Sequence, residues 1–281
     1  MPPLEHVAPV APLAPAWRTW AEALLDLVFP PFCPVCRERL GAGRRDPLCG
    51  ACWDRLERIG PPWCHLCGRP FGAFQTDRVS ADWGRAGACP SPPQMIVGAE
   101  SSRAHLCGPC RRRRPRFYIR SAARYGETVR EAVHAFKFGG RRALAVPLGD
   151  LLAGIGRERL PVGKEPVLLP VPLHRRRERE RGFNQSRLLA ERVGRAWSVP
   201  VLAGALERVV ATATQTDLPA KARRANVRGA FVVRRPELVA GRHVVLVDDI
   251  YTTGATATEC VRCLRKAGAG ELGVLTLARV L

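Results

Sequence analysis

The thirteen residues VVLVDDIYTTGAT, Val244 to Thr256, read as a strand, a turn and the opening of a helix. Val244 to Val247 are four consecutive apolar residues, the mark of a short strand buried on both faces. Asp248 and Asp249 follow at its carboxyl end, where open α/β sheets bind their ligands. Thr252, Thr253, Gly254, Ala255 and Thr256 then start a helix, whose first backbone N–H groups and dipole form a cradle for an anion. Gly254 lets the chain approach that anion without a Cβ in the way, and the threonine hydroxyls can donate to it. The two acids would repel a phosphate, but they suit the vicinal hydroxyls of a sugar. A ligand with hydroxyls at one end and a monophosphate at the other satisfies both halves. The plainer alternative is that the acids only cap the next helix; one acid there is common, whereas two followed by T-T-G-x-T are not.

Working outward, the apolar spacing predicts strands over Tyr118–Tyr125, Val167–Leu173, Val227–Val233 and Glu271–Val280. It predicts helices over Glu127–Phe138, with Val129, Val133 and Phe136 on one face, and over Asn184–Trp197, with Asn184 as a plausible N-cap. A third helix, Ala255–Ala267, stops at Gly268. Strands alternating with helices imply an α/β fold with a mostly parallel sheet covered on both sides. Upstream the composition changes twice. Residues 1–32 form a proline- and alanine-rich tail with one short amphipathic helix, Trp17–Phe32. Residues 33–115 form a small module rich in Cys, Gly, Pro and Arg, and residues 116–281 the α/β domain. Within the cysteine module, Gln75–Ala104 reads as a loop insertion that carries the unpaired Cys89.

The chain of 281 residues has no apolar run of the roughly 18 residues a membrane span needs. Trp17–Phe32 carries Arg18, Glu22 and Asp26 and lacks the pattern of a secretion signal, so a cytoplasmic location is expected. The formal net charge is +20, and arginine supplies 41 of the 45 basic residues. Such a field attracts polyanions, whether phosphorylated small molecules or nucleic acid; a solubilising surface is the plain alternative.

Ten of the eleven cysteines lie in C-x-x-C pairs, which in a reducing compartment points to metal rather than disulfides. Cys33/Cys36 with Cys49/Cys52, and Cys64/Cys67 with Cys107/Cys110, would each make a closed tetrahedral zinc site of the structural kind. An interleaved pairing, with Cys33/Cys36 joined to Cys64/Cys67, satisfies the same spacing. His65 and His105 lie close enough in sequence to stand in for a ligand, although four cysteines already suffice. Cys260 and Cys263 fall one turn apart on the helix after the phosphate loop and read as core packing.

The combination resembles the ComF family, in which a double zinc ribbon precedes a type I phosphoribosyltransferase-like domain. The resemblance is carried by LLDLVFPPFCPVC (24–36), LCGACW (48–53), AFKFGG (135–140), PVPLHRRRERERGFNQ (170–185), QTDLPAKARRANVRGAF (215–231) and the phosphate loop. It implies that Asp248 and Asp249 hold the ribose hydroxyls of phosphoribosyl diphosphate (PRPP) and that Thr252–Thr256 wrap its 5-phosphate. It further implies Mg²⁺ arriving with PRPP, two structural zinc ions, and a second loop for the diphosphate at Pro172, Leu173, His174 and Arg175. There a strand runs into a basic turn, and Arg175, Arg176, Arg177, Arg179 and Arg181 would neutralise the diphosphate or simply be solvated. Lys137, Arg141 and Arg142, and a flap with Arg223, Arg224 and Asn226, are further candidates for the ligand cleft or for plain surface roles. Family members are implicated in DNA uptake during competence. The expectation is therefore a PRPP-binding phosphoribosyltransferase whose acceptor and general base the sequence does not name. The alternative is a non-catalytic single-stranded-DNA-binding protein of the competence machinery, contacting DNA through its ribbons, Arg111–Arg114 and Arg116, with PRPP as a regulatory ligand.

Overall fold

The computed structural model describes residues 31–41, 46–71, 105–163, 165–211 and 225–281. Most of the expected helix Trp17–Phe32, the insertion Gln75–Ala104 with Cys89, and Arg223 and Arg224 of the expected flap lie outside the described residues. Two short helices, α1 (Gly50–Asp54) and α2 (Gly108–Arg112), belong to the cysteine module. They are followed by β1 (Tyr118–Arg124), α3 (Glu127–Phe138), α4 (Ala145–Ala153), β2 (Val167–Pro170), α5 (Arg175–Arg181) and α6 (Gln185–Trp197). The chain closes with β3 (Leu206–Arg208), β4 (Phe231–Val233), β5 (Val244–Tyr251), α7 (Ala255–Lys266) and β6 (Leu272–Arg279).

Four strands form one sheet in the order β1-β6-β5-β2, every pair parallel, while β3 and β4 form a separate antiparallel ribbon. Val244 to Val247 are fully buried, as are all residues of β2 and β6, which is why the first two read as unbroken apolar runs and β6 as a mostly apolar one. Val245, Val247, Leu275 and Leu277 face α3, α4 and α6 in one core; Val244, Leu246, Leu272 and Val274 face α7 in the other. The paired cysteine modules divide between these cores. Cys33, Cys49 and Cys52 pack into the first, and Cys64, Cys67, Cys107 and Cys110 into the second. The segment between them runs antiparallel along the outer edge of β1: Ile59 N donates to Ala122 O (2.9 Å) and Arg124 N to Glu57 O (2.8 Å). This edge of the sheet is thus covered.

Three expectations need correction. The central strand does not stop at Val247; β5 continues through both acids to Tyr251, because β6 pairs with it as far as Tyr251↔Arg279. The basic stretch after β2 is a helix, α5, rather than a turn. Arg and Glu are good helix formers, Arg176 and Glu180 pair at i,i+4 (2.8 Å), and Gly182 at φ +77° closes the helix. In the predicted strand Val227–Val233 only Phe231–Val233 is extended. Residues 225–227 form a helical turn, and Gly229 at φ +72° breaks the run.

Candidate functional site

The two acids sit in the carboxyl half of β5, and neighbouring helices partner each of them. Asp249, 5% exposed, is ion-paired through Oδ2 with the Lys137 ammonium at the end of α3, and its Oδ1 accepts from Ile250 N at 2.9 Å. Asp248 Oδ1 accepts from the Ser186 hydroxyl at the start of α6 and from Asp249 N, both at 3.0 Å. Strand alternation gives the two carboxylates different surroundings. Burial and the adjacent Asp249 carboxylate push the Asp248 carboxyl up to about 7, against the opposing pull of Lys137, the Asp249 N–H and the Ser186 hydroxyl. Asn184 holds α6 in place: its Oδ1 caps Ser186 N (2.9 Å) and its Nδ2 donates to Val171 O (3.1 Å) at the end of β2. Of the three basic residues expected after α3, only Lys137 reaches the acids; Arg141 donates to Phe32 O (3.2 Å) and Arg142 to Gly182 O (2.6 Å).

Thr252 to Gly254 form the turn into α7. Gly254 is its N-cap at φ +73°, and a Cβ built there would lie 2.2 Å from the Tyr251 hydroxyl. The position favours glycine for its left-handed backbone, and any larger residue would also have to displace the Tyr251 hydroxyl. The first turn of α7 carries no acidic side chain to compete for its N–H groups. Pro172–Arg175 start beside the acids, since Val171 N donates to Val247 O at 2.9 Å. Within that loop His174 Nδ1 caps α5 by accepting from Arg176 N (3.3 Å), and Arg175 turns away to pair with Glu207 (3.1 Å).

Each group of four cysteines brings its sulfurs within 4.8 Å of one another: Cys33, Cys36, Cys49 and Cys52, and Cys64, Cys67, Cys107 and Cys110. The pairing is therefore sequential, not interleaved. Contacts of 3.7 Å (Cys33–Cys52), 3.4 Å (Cys36–Cys49) and 3.5 Å (Cys67–Cys107) lie just inside the S–S edge of roughly 3.8 Å set by Zn–S bonds of about 2.3 Å in a tetrahedron. The same turn occurs in both groups. Arg37 N donates to Cys33 O (2.9 Å) and Gly68 N to Cys64 O (2.8 Å), with Arg37 and Gly68 at φ +61° and +63°. Cys49 and Cys107 then precede α1 and α2. Burial opposes ionisation of Cys64, yet the N–H groups of Cys107, Cys67 and Leu66 outweigh it and bring the thiol down to about 7. His65 and His105 belong to neither group. Two buried arginines of the sheet tie down the second knuckle. Arg120 donates to His65 O (3.1 Å), and Arg279 Nη1 donates to Cys67 O while its guanidinium lies 5.5 Å from the centre of the Tyr251 ring.

Between the second cysteine group and α7 runs a groove of about 1410 Å³. Arg112, Arg113, Arg114 and Arg116 line one wall, and Arg262, Arg265 and Lys266 of α7 the other. Arg69, Arg228 and Arg279 complete ten cationic lining residues against one carboxylate, Glu259, itself bound by Arg262 at 2.9 Å. At one end the groove reaches Thr252 and Thr253.

Residues 24–90 match the double zinc ribbon domain and residues 189–281 the phosphoribosyl transferase domain. The chain is 32% identical over 260 residues to "DNA utilization protein YhgH" of Escherichia coli O157:H7, covering 91% of this chain and 100% of that protein. It is also 36% identical over 182 residues to "Competence protein F" of Haemophilus influenzae, covering 63% of this chain and 79% of that protein. The chain belongs to the ComF family. A further ComF relative, "Competence protein ComFC" of Bacillus subtilis, is 32% identical over 161 residues, covering 57% of this chain and 63% of that protein. The ribbon match takes in Cys33, Cys36, Cys49, Cys52, Cys64 and Cys67, and the phosphoribosyl transferase match takes in β5, α7 and β6. Among the described residues no helix is long and apolar enough to cross a membrane. Reading the sequence missed Ser186, Tyr251 and Arg279, all next to elements it had recognised. Ser186 at the second position of a capped helix, beside strand ends carrying acids, was the one retrievable signal.

Proposed function

We propose that this ComF-family chain binds PRPP, with the ribose hydroxyls at Asp248 and Asp249 and the 5-phosphate in the turn Thr252–Thr256. One observation carries the reading: a glycine-opened helix N-terminus with no acidic first turn follows, across Thr252 and Thr253, a strand whose carboxyl half carries two partnered carboxylates. The cradle supplies positive potential for the phosphate, and the carboxylates supply acceptors for hydroxyls. Mg²⁺ would come with the diphosphate, screening its charge as it leaves C1. Pro172 to His174, at the end of β2, are the neighbouring backbone for that group. Calorimetry with PRPP and Mg²⁺ tests the assignment: wild type binds, and Asp248→Asn/Asp249→Asn loses at least tenfold in affinity. Equal affinity for both proteins would remove the site. Diphosphate release in a screen of bases and amines decides between transfer and sensing. The arginine-lined groove supports a second role, single-stranded DNA binding, in keeping with relatives named for DNA utilization and competence. With several phosphates neutralised, log affinity should fall with log salt at about 0.7 per contact. Two structural zinc ions, one per cysteine group, would hold the ribbons in shape.

A further inference from the structure

The groove and the phosphate loop form one continuous surface, and the chemistry of each constrains the other. We infer that together they take the 3′ end of a single DNA strand, its last nucleotide seated where PRPP binds. The inference rests on the PRPP reading of Asp248–Thr256. Acceptors for the vicinal sugar hydroxyls, of which a deoxyribose offers the 3-hydroxyl alone, and a cradle for a 5-phosphate on the same sugar define what can enter. Along a DNA strand an internal nucleotide has a 5′-phosphate, but its 3′-oxygen is esterified. The nucleotide at the 5′ end has the same defect. Only the 3′-terminal nucleotide presents a 5′-phosphate and a free 3′-hydroxyl on one sugar. Its phosphate has a further ester bond, through which the rest of the strand must leave the loop.

The structure supplies a path for that departure. The groove reaches Thr252 and Thr253 and follows α7, twelve residues or roughly 18 Å long, down to Arg265 and Lys266. That length matches about five stacked nucleotides at roughly 3.4 Å each. The charges fit a polyanion, with Arg112, Arg113, Arg114 and Arg262 all lining the groove and its one carboxylate already engaged by Arg262. A second, independent sign is Arg279. It is only 4% exposed and lines the groove, and its Nε has no hydrogen-bond acceptor among the described residues. Its guanidinium lies beside Tyr251, which abuts Gly254, so this buried cation sits where loop and groove meet.

The test uses the full zinc-loaded chain and a 5′-fluorescein dodecathymidylate ending in either a 3′-hydroxyl or a 3′-phosphate, read by anisotropy. The hydroxyl-ended strand should bind at least tenfold more tightly, because a 3′-phosphate both removes the hydroxyl and meets the two acids. PRPP with Mg²⁺ should displace the hydroxyl-ended strand at the concentrations at which calorimetry shows PRPP itself to bind. Thr252→Val/Thr253→Val should shrink the difference between the two strands, while Arg112→Gln/Arg113→Gln/Arg114→Gln should weaken both alike. The proposal is overturned if the two strands bind within twofold of each other, whether or not PRPP competes. The PRPP reading fails separately, if calorimetry detects no PRPP binding.

Discussion

Replacing Lys137 by methionine would leave the Asp249 carboxylate almost wholly inside the protein without its counter-ion. The two side chains are 19% and 7% exposed. Removing one partner of a buried pair costs about 3–5 kcal/mol, and the partial access of Lys137 places this case near the lower end, about 3 kcal/mol. For a domain of this size that corresponds to a fall of roughly 6–12 °C in Tm. Thermal and urea unfolding of the zinc-saturated proteins at pH 7.5 measures the loss. Lys137→Met/Asp249→Asn, which removes both charges, should recover most of the loss. A destabilisation below about 1 kcal/mol at pH 7.5, or a double variant no more stable than the single one, would refute the claim that this pair holds α3 against β5.

Because burial and Asp249 push Asp248 up to about 7, PRPP affinity measured by calorimetry should rise up to tenfold per pH unit from pH 6 and level off above 7; Asp248→Asn should remove that slope. Gly254→Ala should weaken PRPP binding by more than tenfold, since the left-handed backbone alone costs about 1–2 kcal/mol and the new Cβ would meet the Tyr251 hydroxyl at 2.2 Å; unchanged affinity would show that the turn does not hold the phosphate. Metal analysis should find close to two zinc ions per chain, falling to one in Cys110→Ala. That variant should also melt earlier, because the carbonyls of His65 and Cys67, which accept from the buried Arg120 and Arg279, lie on the Cys64–Cys67 knuckle that shares its site with Cys110.

The central strand, the helix after it and the eight ribbon cysteines were legible because each depends on local spacing: an apolar run, a glycine after threonines, two residues between thiols. The stretch Arg175–Arg181 was misread because its charge was weighed as a feature of the ligand site. Its composition is that of a helix, and Arg176 and Glu180 stand at the spacing that stabilises one. The end of β5 was placed too early because Asp248 and Asp249 look like strand breakers, whereas pairing with β6 carries the ladder past them. The partners of the acids and the groove could not be read at all. Lys137 and Asp249 are more than a hundred residues apart, and the groove walls come from the second ribbon and α7, so only the tertiary packing brings them together.

The antiparallel seam between residues 57–59 and β1 has a consequence for how the protein fails. β1 is one of the two outermost strands, and the connector between the two cysteine groups occupies the hydrogen-bonding positions that another molecule's strand could otherwise take, at Ala122 O and Arg124 N. That connector has little helix or sheet of its own and is held in register by the knuckles on either side. Stripping the metal would release it and leave a bare template for edge-to-edge pairing. A chelated sample should therefore cloud or sediment before its sheet melts, and the ribbons act as a guard against self-association as much as a platform for any partner.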